Sequence, residues 1–81
     1  MKNVIITGSA NGVGKAVANI LKEENLILID IDENNLKETA KQTNSEYYVC
    51  DLTDLNQINE VVSNISSKYN NVECVLSCGV M

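Results

Sequence analysis

The sequence predicts an α/β fold, a partial doubly wound parallel sheet in the order β-α-β-α-β-α-β, with four strands and three helices in one domain spanning residues 1–81. Three observations predict it. The hydrophobic period switches repeatedly between continuous apolar runs and helical spacing. The apolar runs are short and unbroken, as strands buried on both faces of a parallel sheet are. A glycine-rich loop joins the first run to the first helical stretch, and such alternation implies right-handed crossovers.

Asn3 to Thr7 (Asn-Val-Ile-Ile-Thr) is a β-branched run ending at a glycine, and it reads as the first strand. From Gly12 to about Glu24, Val13, Ala16, Val17, Ile20 and Leu21 recur at helical spacing. Asn25 is expected to end that helix, because Asn tolerates the left-handed conformation of a C-terminal cap. Leu26-Ile27-Leu28-Ile29-Asp30 is a second buried strand. Asp32 is placed to cap a short helix that runs through Leu36 and Ala40 to about Gln42. Asn44-Ser45 then turns the chain into a third strand, Tyr47-Tyr48-Val49-Cys50. Asp54 with Gln57 three residues later is a capping-box-like start. Leu55, Ile58, Val61, Val62 and Ile65 follow along one helical face, and Val72 to about Ser77 forms the fourth strand.

A chain of this length holds one domain at most and buries a modest fraction of its surface. Hydrophobic residues make up 44% and charged residues 21%, an ordinary balance for a soluble globular segment. No apolar run is long enough to span a bilayer, and Val4-Ile5-Ile6 lacks the length of a signal-peptide core, so a cytoplasmic protein with no membrane partner is expected. A net charge of −5 with scattered basic residues argues against a nucleic-acid surface. Cys50, Cys74 and Cys78 are an odd number with no His beside them, which reads as free buried thiols in a reducing compartment rather than a metal site.

The segment with most chemical content is Thr7-Gly8-Ser9-Ala10-Asn11-Gly12-Val13-Gly14, between the first strand and the first helix. A diphosphate binds at a helix N-terminus, where unpaired backbone N–H groups and the helix dipole favour negative charge. Gly8 allows a sharp exit from the strand, Gly12 lets the backbone approach the phosphates, and Gly14 lets the helix pack closely. Sixteen residues past Gly14, Asp30 closes the second strand, where a carboxylate accepts hydrogen bonds from the ribose hydroxyls of an adenosine half. The combination is Rossmann-like. A nucleotide-triphosphatase phosphate loop fails on spacing: five residues separate Gly8 from Gly14-Lys15, one too many, and Ala16 follows where Ser or Thr is required.

Thr-Gly-x-x-x-Gly-x-Gly is the spacing of the short-chain dehydrogenase/reductase family, which the chain resembles along essentially its whole length. It corresponds to about the first third of a family member. The resemblance implies that Asp51, in Asp51-Leu52-Thr53-Asp54, contacts adenine with Leu52 packing beside it, while Asp54 caps its helix. Leu76-Ser77-Cys78-Gly79-Val80 stands where the family usually has Asn-Asn-Ala-Gly, with Gly79 replacing either the Ala or the Gly and no asparagine in either register. The cofactor-binding set so implied is Gly8, Ser9, Asn11, Gly12, Val13 and Gly14 of the loop, then Asp30 and Ile31, Asp51 and Leu52, and Gly79.

The cofactor expected is NAD rather than NADP. A carboxylate beside the 2′-position repels a further phosphate, and Ser9, Ala10, Asn11 and Ile31 offer no counter-charge. Lys15, the nearest base, is read as a solvated side chain. The activity implied is hydride transfer on an alcohol or carbonyl substrate, organised in the family by a Ser and a Tyr-x-x-x-Lys pair. No catalytic residue is assigned in this chain: four residues past Tyr47, Tyr48 and Tyr69 stand Asp51, Leu52 and Glu73. The expected chain is therefore a fragment or truncated reading frame, inactive alone, whose open fourth strand is covered by the remainder of the domain or by self-association. The alternative is a non-catalytic dinucleotide-sensing regulator on the same fold.

Overall fold

Four strands pair in parallel into one sheet of order β3-β2-β1-β4. The computed structural model describes residues 1–10 and 12–76, the last two by backbone alone. Its elements are β1 (Asn3–Thr7), α1 (Gly12–Ile20), β2 (Asn25–Asp30), α2 (Glu33–Thr43), β3 (Glu46–Val49), α3 (Leu55–Lys68) and β4 (Glu73–Leu76), the predicted order. Because β1 and β2 are inner strands, both of their faces are covered, and that is why they read as unbroken apolar runs.

Alternation along the strands divides the core. Val4, Ile6, Leu26 and Leu28 point to one face and pack with Ala18 of α1 and Leu36 and Ala40 of α2. Ile27 and Ile29 point to the other and pack with Cys50 and with Val61 and Ile65 of α3. The register holds these layers level: Ile5 lies between Ile27 on β2 and Cys74 on β4.

Helix ends follow local hydrogen-bond chemistry. The Asp32 carboxylate accepts from the backbone N–H of Asn35, and Asp54 does the same for Asn56 and Gln57, satisfying donors that the first turn leaves unpaired. Asn44 adopts the left-handed conformation, with φ of 53°, and its N–H returns to the Ala40 carbonyl. Among the described residues no helix is long and apolar enough to cross a membrane.

Four expectations need correction. Helix α1 ends at Ile20, and Asn25 is not its cap but the first residue of β2. The Asn25 side chain donates to Asn3 Oδ1 at 2.8 Å and its backbone N–H to the Lys2 carbonyl, so strand pairing claims it. The apolar face of α1 is also rotated from the one expected. Gly14 and Ala18 are buried and Val17 and Leu21 partly so, while Val13 and Ala16 are exposed and Ile20 is 77% exposed. Small residues bring the helix backbone close, and that approach fixes the face more strongly than side-chain size does.

On α3 only Val61 and Ile65 are buried; Leu55 is 71% and Val62 56% exposed. No described element lies over that side of the helix. Finally, Cys50 is buried but Cys74 is an exposed free thiol, because β4 is an edge strand whose neighbouring groove is open.

Candidate functional site

The loop after β1 is anchored on the end of β2. Gly8, with φ of 67°, donates its N–H to the Ile29 carbonyl at 2.8 Å, a backbone conformation that glycine adopts without strain. The Ser9 hydroxyl bonds the same carbonyl at 3.4 Å, and Ser9 is fully buried. The Ala10 N–H donates to Asp30 Oδ2 at 2.9 Å, so the carboxylate faces the loop. Asp30 Oδ1 accepts the Asp32 N–H at 3.1 Å and thereby turns the chain out of β2 into the cap of α2.

The three loop glycines act for separate reasons. A Cβ on Gly14 would stand 2.1 Å from the Gly8 carbonyl oxygen and 2.6 Å from its carbon. Helix α1 therefore rests directly on the backbone of the strand exit, closer than any side chain permits. At Gly12 a Cβ would meet nothing within 4 Å, yet φ is +59°, so the requirement there is conformational and the space beside it is open. Asn11 lies outside the described residues.

Around this centre, Val13 projects from the first turn of α1 and is exposed, as is Ile31 just beyond Asp30. Lys15 is half-buried rather than fully solvated. Asp51 reaches the same edge of the sheet because the Cys50 N–H donates to the Asp30 carbonyl at 2.9 Å. Leu52 beside it is 48% exposed. Gly79 and the Ser77-Cys78 segment lie outside the described residues. The structure thus joins the loop, Asp30 and the approach to Asp51 along the C-terminal edge of β1, β2 and β3. This is where ligands bind in open α/β sheets.

Two bonding partners of Asp51 were not foreseen as such from the sequence. Thr53 donates both its N–H, at 2.9 Å, and its hydroxyl, at 2.6 Å, to Asp51 Oδ1. These bonds, the hydroxyl's first, hold the Asp51 carboxyl below its ordinary 3.8. Gln57 also departs from the capping-box role. Its Oε1 accepts the Asp51 N–H at 2.8 Å and its Nε2 donates to Asp54 Oδ2 at 3.1 Å, while the Asp54 N–H turns back to the Asp51 carbonyl. An Asp-x-Thr following a strand is the signal that could have found Thr53.

The tyrosines have structural partners. Tyr48 and Tyr69 both donate to Glu46, which also pairs with Lys68 at 3.3 Å, tying β3 to the end of α3. Burial, with Glu46 second, pushes the Tyr48 phenol above its ordinary 10.0. Burial likewise raises the Cys50 thiol, with Asp51 and Asp54 adding to it, which leaves that cysteine a poor nucleophile. Among the described residues no group of three or more His, Cys, Asp or Glu could hold a metal ion. A groove of about 310 Å³ opens on the α3 face, lined chiefly by apolar side chains including Ile5, Ile29, Leu52, Ile58, Val62 and Cys74.

Comparison with known proteins agrees with this geometry. The family model described as short chain dehydrogenase matches residues 2–80. The 3-oxoacyl-(acyl-carrier-protein) reductase FabG of Thermotoga maritima is 32% identical over 83 aligned residues, covering 94% of this chain and 34% of the reductase. The chain thus spans about a third of the length of the curated relatives it matches. A metagenomic short-chain oxidoreductase solved with NADP superposes with a TM-score of 0.86 at 22% identity, over 98% of this chain and 39% of the other. An NAD+-bound xylitol dehydrogenase gives 0.79 at 20% identity, over 88% of this chain and 30% of the other. At those identities the superpositions speak to fold.

Proposed function

This chain belongs to the short-chain dehydrogenase family as its N-terminal, nicotinamide-dinucleotide-binding portion, and we propose that it binds NAD in preference to NADP, as part of an oxidoreductase acting on an alcohol or carbonyl group. The observation that carries this reading is the 2.9 Å bond from the Ala10 N–H to Asp30 Oδ2. It fixes a carboxylate beside the loop in which a diphosphate would lie.

A carboxylate has about four acceptor positions, and among the described residues two are taken, by the amides of Ala10 and Asp32, which supports a reading in which the others accept from ribose hydroxyls. The same charge disfavours a 2′-phosphate. In this reading Gly8, Gly12, Val13 and Gly14 form the diphosphate cradle with Asn11, and Ser9 supports it from beneath. Ile31 and Leu52 offer apolar surface to the base beside Asp51, and Gly79 joins the set by the family resemblance alone.

The dinucleotide, when bound, supplies or accepts a hydride. The residues of this chain orient it, and the proton-handling Tyr-x-x-x-Lys pair does not occur within the 81 residues. Polypeptide of the same domain, or a second copy, is read as covering the open α3 face. The free thiols of Cys50 and Cys74 suit the reducing cytoplasm.

Calorimetric titration of the chain with NAD and with NADP tests the proposal. We expect NAD to bind at least about tenfold more tightly, roughly 1.4 kcal/mol. Equal titration curves for the two dinucleotides would refute the preference, and no heat from either would refute the site.

A further inference from the structure

Asp51 is held from two places, the turn after β3 and the first turn of α3, and among the described residues one of its carboxylate oxygens accepts no hydrogen bond. Thr53 donates its N–H and its hydroxyl to Oδ1. Gln57, from the first turn of α3, grips the Asp51 N–H through Oε1 at 2.8 Å and is itself steadied by Asp54, the cap of that helix. Among the described residues no hydrogen bond reaches Oδ2. With Oδ1 accepting twice from Thr53 and the backbone N–H held by Gln57, rotation of the carboxylate is restricted, and Oδ2 is the oxygen left to accept from a ligand.

We infer that Thr53 and Gln57 are positioning residues that aim Asp51 Oδ2 at a hydrogen-bond donor on the purine, and so make this site select a 6-amino purine over a 6-oxo purine. The inference rests on the reading of Asp51 as the adenine contact. A charged acceptor suits an exocyclic amino group and repels a carbonyl oxygen in the same place. Neither residue needs to touch the base. Thr53 acts by restricting the carboxylate, and Gln57 by fixing the peptide from which it springs.

The test compares NAD with its hypoxanthine analogue, in which the 6-amino group is replaced by a 6-oxo group, by calorimetric titration of the full chain. For the unaltered chain we expect about a tenfold preference for NAD, the size of one charge-assisted hydrogen bond at a solvent-accessible site. Thr53→Val should reduce that ratio about fivefold while Thr53→Ser, which keeps both donors, preserves it. Gln57→Leu leaves the Thr53 bonds intact and should reduce the ratio about threefold, so the inference stays exposed to refutation if one variant folds poorly. Unchanged ratios in Thr53→Val and Gln57→Leu, with Asp51→Asn losing its preference, would overturn the positioning role alone. An unchanged ratio in Asp51→Asn, or no preference in the unaltered chain, would overturn the adenine reading beneath it as well.

Discussion

The two faces of the sheet are built from the same inner strands and are finished differently. On one face α1 and α2 together seal Val4, Ile6, Leu26 and Leu28, and Leu36 is fully buried. On the other, among the described residues α3 is the one helix over Ile27 and Ile29, which it meets through Val61 and Ile65 beside Cys50, and an apolar groove stays open next to it. The loop and Asp30 belong to the sealed side, where α1 begins and an inner strand ends. Asp51 lies beyond an edge strand, beside Leu52 and the open groove. The difference teaches that the loop and Asp30, the proposed diphosphate and ribose contacts, stand on a closed layer, whereas Asp51, the proposed adenine contact, depends on local side-chain bonds for its geometry.

The largest expected effect lies where the sealed layer touches the loop. Gly14→Val would drive a side chain into the Gly8 carbonyl, which is backbone and cannot yield as a flexible side chain would. We expect a loss of about 3 kcal/mol in stability, read as a lower urea midpoint, together with loss of NAD binding. Gly12→Ala makes a milder contrast, because its cost comes from the left-handed backbone alone, about 1–2 kcal/mol. A Gly14→Val protein as stable as the parent would show that α1 does not rest on the strand exit.

The contrast between faces is tested next by paired truncations. Leu36→Ala removes a fully buried side chain from the sealed side and should cost about 3 kcal/mol. Val62→Ala, on the half-open face, should change stability by no more than about 0.5 kcal/mol. Equal losses in chemical denaturation would mean that the α3 face is as closed in solution as the other. Asp30→Asn then probes selectivity. It retains an acceptor for the Ala10 N–H but removes the charge, so the expected preference for NAD should fall by about tenfold, to near parity, when the two dinucleotides are titrated. A preference that survives the substitution would place its origin elsewhere in the loop.

These comparisons also mark what could be read in advance. The element order was legible because short unbroken apolar runs and a period of 3.6 residues leave different traces, and the Asp32, Asn44 and Asp54 caps use residue types whose chemistry is local. The buried faces of α1 and α3 were not. Counting apolar residues favours Val13 and Ile20, whereas close backbone approach selects Gly14 and Ala18. Leu55 and Val62 carry the pattern of a covered face that the described elements do not cover. Within the candidate site, the loop and Asp30 stood out because strand, glycines, helix and carboxylate follow at fixed intervals. Thr53 and Gln57 did not, since their bonds to Asp51 depend on the angle at which the chain leaves β3, which no periodicity encodes.

The smallest expected effect is a pH dependence that returns to the edge-strand side. Thr53 holds the Asp51 carboxyl below 3.8, chiefly through its hydroxyl, so the folded state favours the ionised form more than the unfolded chain does. A depressed carboxyl contributes stability that is present above its unfolded value and is lost as pH falls through the lower, folded one. In thermal unfolding between pH 6 and pH 2, the unaltered chain should therefore lose an increment below about pH 4 that Thr53→Val lacks. The gap between the two proteins should accordingly narrow as the solution becomes more acid. A difference constant across the whole acid range would mean that the hydroxyl contributes packing alone, and that the Asp51 carboxylate is no more fixed than an ordinary side chain on a loop.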